Sequence, residues 1–220
     1  MNVLITGVLG LVGNAVVRQA ILNSKINHIF ILSADLEPSY LAGHSKITVL
    51  SYDDIITAAP SGRLWPLAGV EACIWSQELP SRPPNVETAI PMPTDYPPGL
   101  LKFLAFRLLP KLPPNKKFRF IFVSRETGYR MWSTSSPERL LSLAERRIFQ
   151  IADMNDRLEI VVPRPSGVIP SKAGRFKAKL LSKLSGYMTV NHLAQALILF
   201  ALNGSEKRII NAKELRDMKV

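Results

Sequence analysis

The chain has 220 residues, 47% of them hydrophobic and 20% charged, with a formal net charge of +11. Length and balance fit one globular domain with a full core and exclude global disorder. The single cysteine, Cys73, excludes an intrachain disulfide and a cysteine zinc site, and it reads as a reducing, cytoplasmic setting.

The charge is unevenly placed. Residues 1–100 carry a net −3 and residues 101–220 a net +14. Such a bias suits a solvated basic surface, a nucleic acid, an anionic membrane surface or an acidic partner. Nucleic-acid binding is not expected, because no recognisable module or stacking motif accompanies the charge. No apolar run approaches the roughly 20 residues of a membrane span. The glycine-studded stretch from Met1 to Gly13 lacks a basic flank and reads as a strand and turn, not a signal peptide.

In chain order, Asn2 to Thr6 is a short apolar, β-branched run that stops at glycine, as a buried parallel strand does. Helical spacing follows Gly13 through Ala15, Val16 and Ala20 to Asn23. Further strands are expected at His28 to Leu32, Lys46 to Leu50, Val70 to Trp75, Phe118 to Val123 and Leu158 to Val162. Seven prolines between Pro80 and Pro98 predict an irregular segment there, placed where a substrate-covering loop would lie.

Ser135-Ser136-Pro137-Glu138 signals a helix start. Leu140, Leu141, Ala144, Ile148 and Ile151 fall on its expected apolar face, with Arg139, Glu145 and Arg146 opposite. Lys172, Arg175, Lys177, Lys179 and Lys183 interleave with Phe176 and leucines. That segment reads as a solvated helix, with a membrane-surface helix or an anionic-substrate rim as alternatives. A last helix spans about Val190 to Leu202 and stops at Asn203-Gly204 as a left-handed cap would stop it. Arg208 to Ala212 reads as a final short strand. Alternating strands and helices predict an α/β doubly wound parallel sheet with a small C-terminal elaboration on the substrate side.

The densest chemical signal is Gly7, Gly10 and Gly13, directly after the first strand and opening a helix. Gly7 permits a tight turn, Gly10 lets a diphosphate approach the backbone and Gly13 permits close packing. The helix start then offers free N–H groups and a positive dipole to an anion. Leu9, Leu11 and Val12 complete this cofactor-binding turn. The three histidines, His28, His44 and His192, are scattered without ligand spacing, so no metal is expected.

Thr6-Gly-x-x-Gly-x-x-Gly13 resembles the fingerprint of the atypical and extended short-chain dehydrogenase/reductase families, a Rossmann-like, epimerase-related group. The resemblance continues along most of the chain, through Ile31-Leu-Ser33, Ser51-Tyr-Asp53-Asp54, Phe120-Ile-Phe-Val-Ser124, Arg164-Pro-Ser-Gly167 and Tyr187 to Ala194. It is nearest to small fungal NAD(P)-binding proteins, several of them encoded near secondary-metabolism genes. It implies nicotinamide-cofactor contacts at Ser33, Asp35, Asp53, Ser76 and Pro165, and a strand-end hydroxyl at Ser124 in the active site.

The chain departs from that pattern where the family's chemistry sits. The family's Tyr-x-x-x-Lys pair occurs nowhere in this sequence; aligning Glu145 with the family's helix glutamate puts Pro137 and Leu141 at the two positions. Neither side chain can titrate. Ser33-Ala34-Asp35 stands where NADP-using relatives often carry arginines, so NAD(H) is favoured over NADP(H). Val8-Leu9 makes the phosphate turn bulkier than in many relatives. Ser124, Tyr129 and Arg125 are the candidate catalytic residues, as carbonyl donor, proton donor and charge stabiliser. The expected function is reduction of an apolar small molecule with a nicotinamide cofactor. The alternatives are a cofactor-free isomerisation or cyclisation on the same scaffold and a non-catalytic nucleotide-binding regulator.

Overall fold

A computed structural model describes residues 1–33, 41, 43–51, 67, 69–76, 95–126, 137–170 and 187–220. The chain runs β1 (Asn2–Thr6), α1 (Leu11–Leu22), β2 (His28–Ser33), β3 (Ile47–Ser51), β4 (Val70–Trp75) and α2 (Tyr96–Leu108), with a 3-10 turn at Leu109–Lys111. It continues through β5 (Phe118–Phe122), α3 (Pro137–Asp153), β6 (Leu158–Pro163), β7 (Gly167–Ile169), β8 (Tyr187–Thr189), α4 (Val190–Asn203), β9 (Ile209–Ile210) and α5 (Ala212–Asp217).

Seven strands form one parallel sheet in the order β3-β2-β1-β4-β5-β6-β9. The order reverses between β1 and β4, so their carboxyl ends open a crevice at a topological switch point. This is the expected doubly wound sheet. The expected elaboration includes a small parallel ribbon pairing β7 with β8.

Strand alternation divides the core into two layers. Val3, Ile5, Ile74 and Ile121 face α1 and α4, whereas Leu4, Cys73, Phe120 and Phe122 face α2 and α3. Burial on both faces explains why these strands read as continuous apolar runs.

Polar side chains fasten the helix ends to the sheet. The Lys46 ammonium donates to the carbonyls of Ala20, Ile21 and Asn23 at the end of α1. Arg119 pairs with Glu159 across β5 and β6 and donates to the Ala201 and Leu202 carbonyls at the end of α4. Glu159 also accepts from the Ser205 N–H at 2.8 Å.

Four local expectations are corrected. The proline-rich segment does not stay irregular to Pro98: Pro97 and Pro98 occupy the first turn of α2, where a missing N–H costs nothing. Glu145 is not on the solvent face of α3 but only 4% exposed, since it lies one position from Ala144 and one turn from Leu141 and Ile148. Gly204 ends α4 at φ 77°, ψ −162°, a glycine-only conformation other than a left-handed cap. The last strand is only Ile209–Ile210, because Asn211 forms a capping box with Glu214 and starts α5.

Candidate active site

The turn after β1 is built by glycines. Gly7 has φ 70°, a region that L side chains avoid, and its carbonyl accepts the Gly10 N–H at 3.0 Å. A Cβ on Gly13 would stand 2.1 Å from the Gly7 oxygen and 2.8 Å from Ser76 Oγ. The helix therefore presses directly on the turn that precedes it.

Val8 does not plug this turn. Its side chain is 1% exposed, in the core layer beneath α1, whereas Leu9 and Leu11 are 59% and 41% exposed at the rim. α1 begins after Gly10 with no side-chain cap and no acidic residue in its first turn. Its opening N–H groups, at Leu11, Val12 and Gly13, are those a helix leaves unsatisfied and an anion satisfies. A glycine cradle that a Cβ would fill, above an uncapped helix start, fits the diphosphate of a dinucleotide.

Ser76 is 6% exposed, and its hydroxyl donates to the Thr6 carbonyl at 2.6 Å. It ties the ends of β1 and β4 together under the turn, so its hydroxyl proton is already committed. Ser33 is buried at the end of β2.

Ser124 lies two residues past β5. Its N–H donates to the Pro163 carbonyl at 3.0 Å, and the Glu126 N–H donates to the Pro165 carbonyl at 3.2 Å. Ser124, Arg125 and Pro165 are thus brought together at the carboxyl edge. Pro165 is buried and Arg125 exposed. Arg164 secures the same loop to α3: its Nε donates to Glu145 Oε1 at 3.2 Å and its Nη2 to Glu145 Oε2.

Among the described residues three buried polar atoms have no hydrogen-bond partner: Thr6 Oγ1, Trp75 Nε1 and Ser124 Oγ. Thr6 pairs with Trp75 and Trp75 with Phe122 in the strand register. They follow Leu4, Cys73 and Phe122 by two residues, so alternation puts them toward the α2 and α3 side. Unpaired polar groups at one crevice, on adjacent strands, have hydrogen-bonding capacity that a ligand or ordered water can satisfy. Ser124, a candidate read from the sequence, is one of these three groups. Thr6 and Trp75 were not candidates, although the same alternation in β1 and β4 carried the signal.

Cys73, deep in β4, is no nucleophile, because burial pushes its thiol well above the ordinary range. Among the described residues no cluster of three or more His, Cys, Asp or Glu is arranged to hold a metal. Asp35, Asp53 and Tyr129 lie outside the described residues, as do most of the proline-rich segment and the basic stretch 172–183. No described helix is long and apolar enough to cross a membrane.

No family model and no curated protein sequence matches the chain. Solved structures do match. Yeast methylglyoxal/isovaleraldehyde reductase Gre2, complexed with NADPH, superposes with a TM-score of 0.68 at 12% identity, covering 96% of this chain and 77% of that one. Gre2 from Candida albicans gives 0.67 at 12% identity over 98% and 80%. UDP-glucuronic acid 4-epimerase from Bacillus cereus, in complex with NAD, gives 0.65 at 16% identity over 96% and 78%. The chain therefore has the Rossmann-like fold of short-chain dehydrogenase/reductase and epimerase structures whose members hold NAD or NADPH.

Proposed function

We propose that the protein binds a nicotinamide dinucleotide at the Gly7–Gly13 turn and reduces a carbonyl or alkene group of an apolar small molecule. The observation that carries this reading is the uncapped start of α1 over a glycine cradle, with Val8 turned into the core. The cofactor supplies the hydride. The chain's own residues orient and polarise.

The Ser124 hydroxyl, buried and without a partner among the described residues, donates to the substrate oxygen. Arg125, exposed on the next residue, faces charge that develops there. Tyr129 is the proposed proton donor in place of the absent Tyr-x-x-x-Lys pair. Asp35 and Asp53 are proposed for the ribose and adenine side, and Asp35 favours NAD(H) over NADP(H). A biosynthetic role on a secondary metabolite fits the sequence resemblance.

The absent tyrosine–lysine pair favours, as second reading, an isomerisation or cyclisation without net redox change at the same crevice. A panel of apolar aldehydes, ketones and enones incubated with NADH separates the two. Oxidation of NADH that falls about 100-fold in Ser124→Ala, with folding intact, supports the reductase. Turnover without nicotinamide, indifferent to Gly10→Glu, supports the second reading and defeats the first.

A further inference from the structure

The α2–α3 surface at the opposite, amino edge of the sheet carries a feature the reductase reading does not use. A groove of about 540 Å³ runs between the end of α2 and the end of α3, down to Leu158 at the start of β6. Its walls hold two large apolar side chains left in water, Phe106 at 76% and Met154 at 74% exposure. Monomeric proteins seldom leave neighbouring large apolar groups exposed at a concave site without a partner.

The groove is also positively charged. Lys102, exposed on α2, has no partner among the described residues. Arg157 is held rigidly: its Nε donates to the Lys116 carbonyl and its Nη2 to the carbonyls of Leu112 and Pro113. Among the described residues its Nη1 hydrogens have no partner and no carboxylate pairs with it. Among the described residues no acidic side chain lines the groove. Asp153, beside Met154, is tied to Arg208.

We infer that this groove docks an acidic amphipathic helix of a partner protein. Two parallel helices, both ending at the groove, form walls that accept a third helix, with Phe106 and Met154 as apolar anchors. Lys102 and the fixed Arg157 guanidinium meet carboxylates at its edge. A second copy of this chain fits poorly, because a two-fold axis would set a surface bearing Lys102 and Arg157 against itself in a molecule of net charge +11. A small ligand fits poorly too, since so open a groove would leave most of it in water.

The test uses the full chain and two synthetic helices of about 18 residues, long enough to hold helical structure. Both carry leucines along one face; one has glutamates and the other lysines beside them. Fluorescence anisotropy is expected to show binding of the glutamate helix and none of the lysine helix. Lys102→Glu and Phe106→Ser should each weaken binding about tenfold while thermal melts and NADH affinity stay unchanged. Equal binding of both helices, or affinity indifferent to Lys102→Glu, overturns the inference. So does sedimentation showing a dimer that Phe106→Ser dissociates, which would make the face an interface between copies. NADH affinity is read separately, so failure here leaves the reductase reading untouched.

Discussion

Replacing Gly13 by alanine probes the contact on which the glycine turn depends. The added Cβ would lie 2.1 Å from the Gly7 oxygen, 2.5 Å from the Gly7 carbonyl carbon and 2.8 Å from Ser76 Oγ. Ordinary contacts are about 3.5–4.0 Å, so the turn or the helix must retreat by more than 1 Å. The atoms in the way are mostly backbone, and Gly7 already sits at φ 70°, which leaves the turn few alternatives. Overpacking of this kind costs about 1–3 kcal/mol, or roughly 2–12 °C in melting temperature for a chain of this size. Gly99→Ala is the matched control, since it adds the same methyl within α2 with nothing within 4 Å of it. It should raise stability by about 0.5–1 kcal/mol, because glycine is a poor helix former. Thermal denaturation with NADH titration reads both variants. If Gly13→Ala melts like wild type and holds NADH as tightly, the close-packed turn described here is wrong.

Three further outcomes follow from the same geometry. Glu145→Gln should lower the unfolding free energy in urea by about 2–3 kcal/mol, less than a fully enclosed pair because Arg164 is partly in water; an unchanged midpoint contradicts the clamp. In ligand-free protein Thr6→Val should raise stability by about 1 kcal/mol, since it replaces a buried unpaired hydroxyl with a methyl; a clear loss means the hydroxyl has a partner. Hydrogen bonds from Lys207, and then from the Asn211 N–H, hold the Glu214 carboxyl below its ordinary range. A depressed carboxylate contributes stability above its unfolded value of about 4.3 and loses it as the pH falls through the folded value. The melting difference between wild type and Glu214→Gln should therefore close in acid, and a difference that persists there refutes the pairing.

The fold was legible because a parallel sheet buried on both faces writes each strand as an apolar run. The β1, β2, β4, β5 and β6 runs stand within about one residue of where they were read. α2 was hidden by its own start: Pro97 and Pro98 look like breakers unless they occupy the first helical turn. Glu145 was misplaced because charge alone suggested solvent, whereas its helical position places it beside Ala144 in the core, where Arg164 neutralises it. Gly7, Gly10 and Gly13 marked the turn after β1 because its geometry calls for glycine, at Gly7 by a positive φ and at Gly13 by close backbone contact. Thr6 and Trp75 were passed over because each looks like an ordinary strand residue until the crevice gathers their unpaired atoms. The substrate side was least legible, since specificity resides in connecting segments that follow no periodic pattern.

The central claim is that a dinucleotide diphosphate rests on the start of α1 at the glycine turn. Calorimetric titration of the full chain with NADH, repeated on Gly10→Glu, tests it most directly. A Cβ at Gly10 stands 3.3 Å from the Gly7 oxygen, so glutamate there sets bulk and negative charge beside the proposed anion. The account predicts saturable binding by wild type and a loss of at least about tenfold in the variant. Absence of binding by wild type, or equal binding by both proteins, contradicts it.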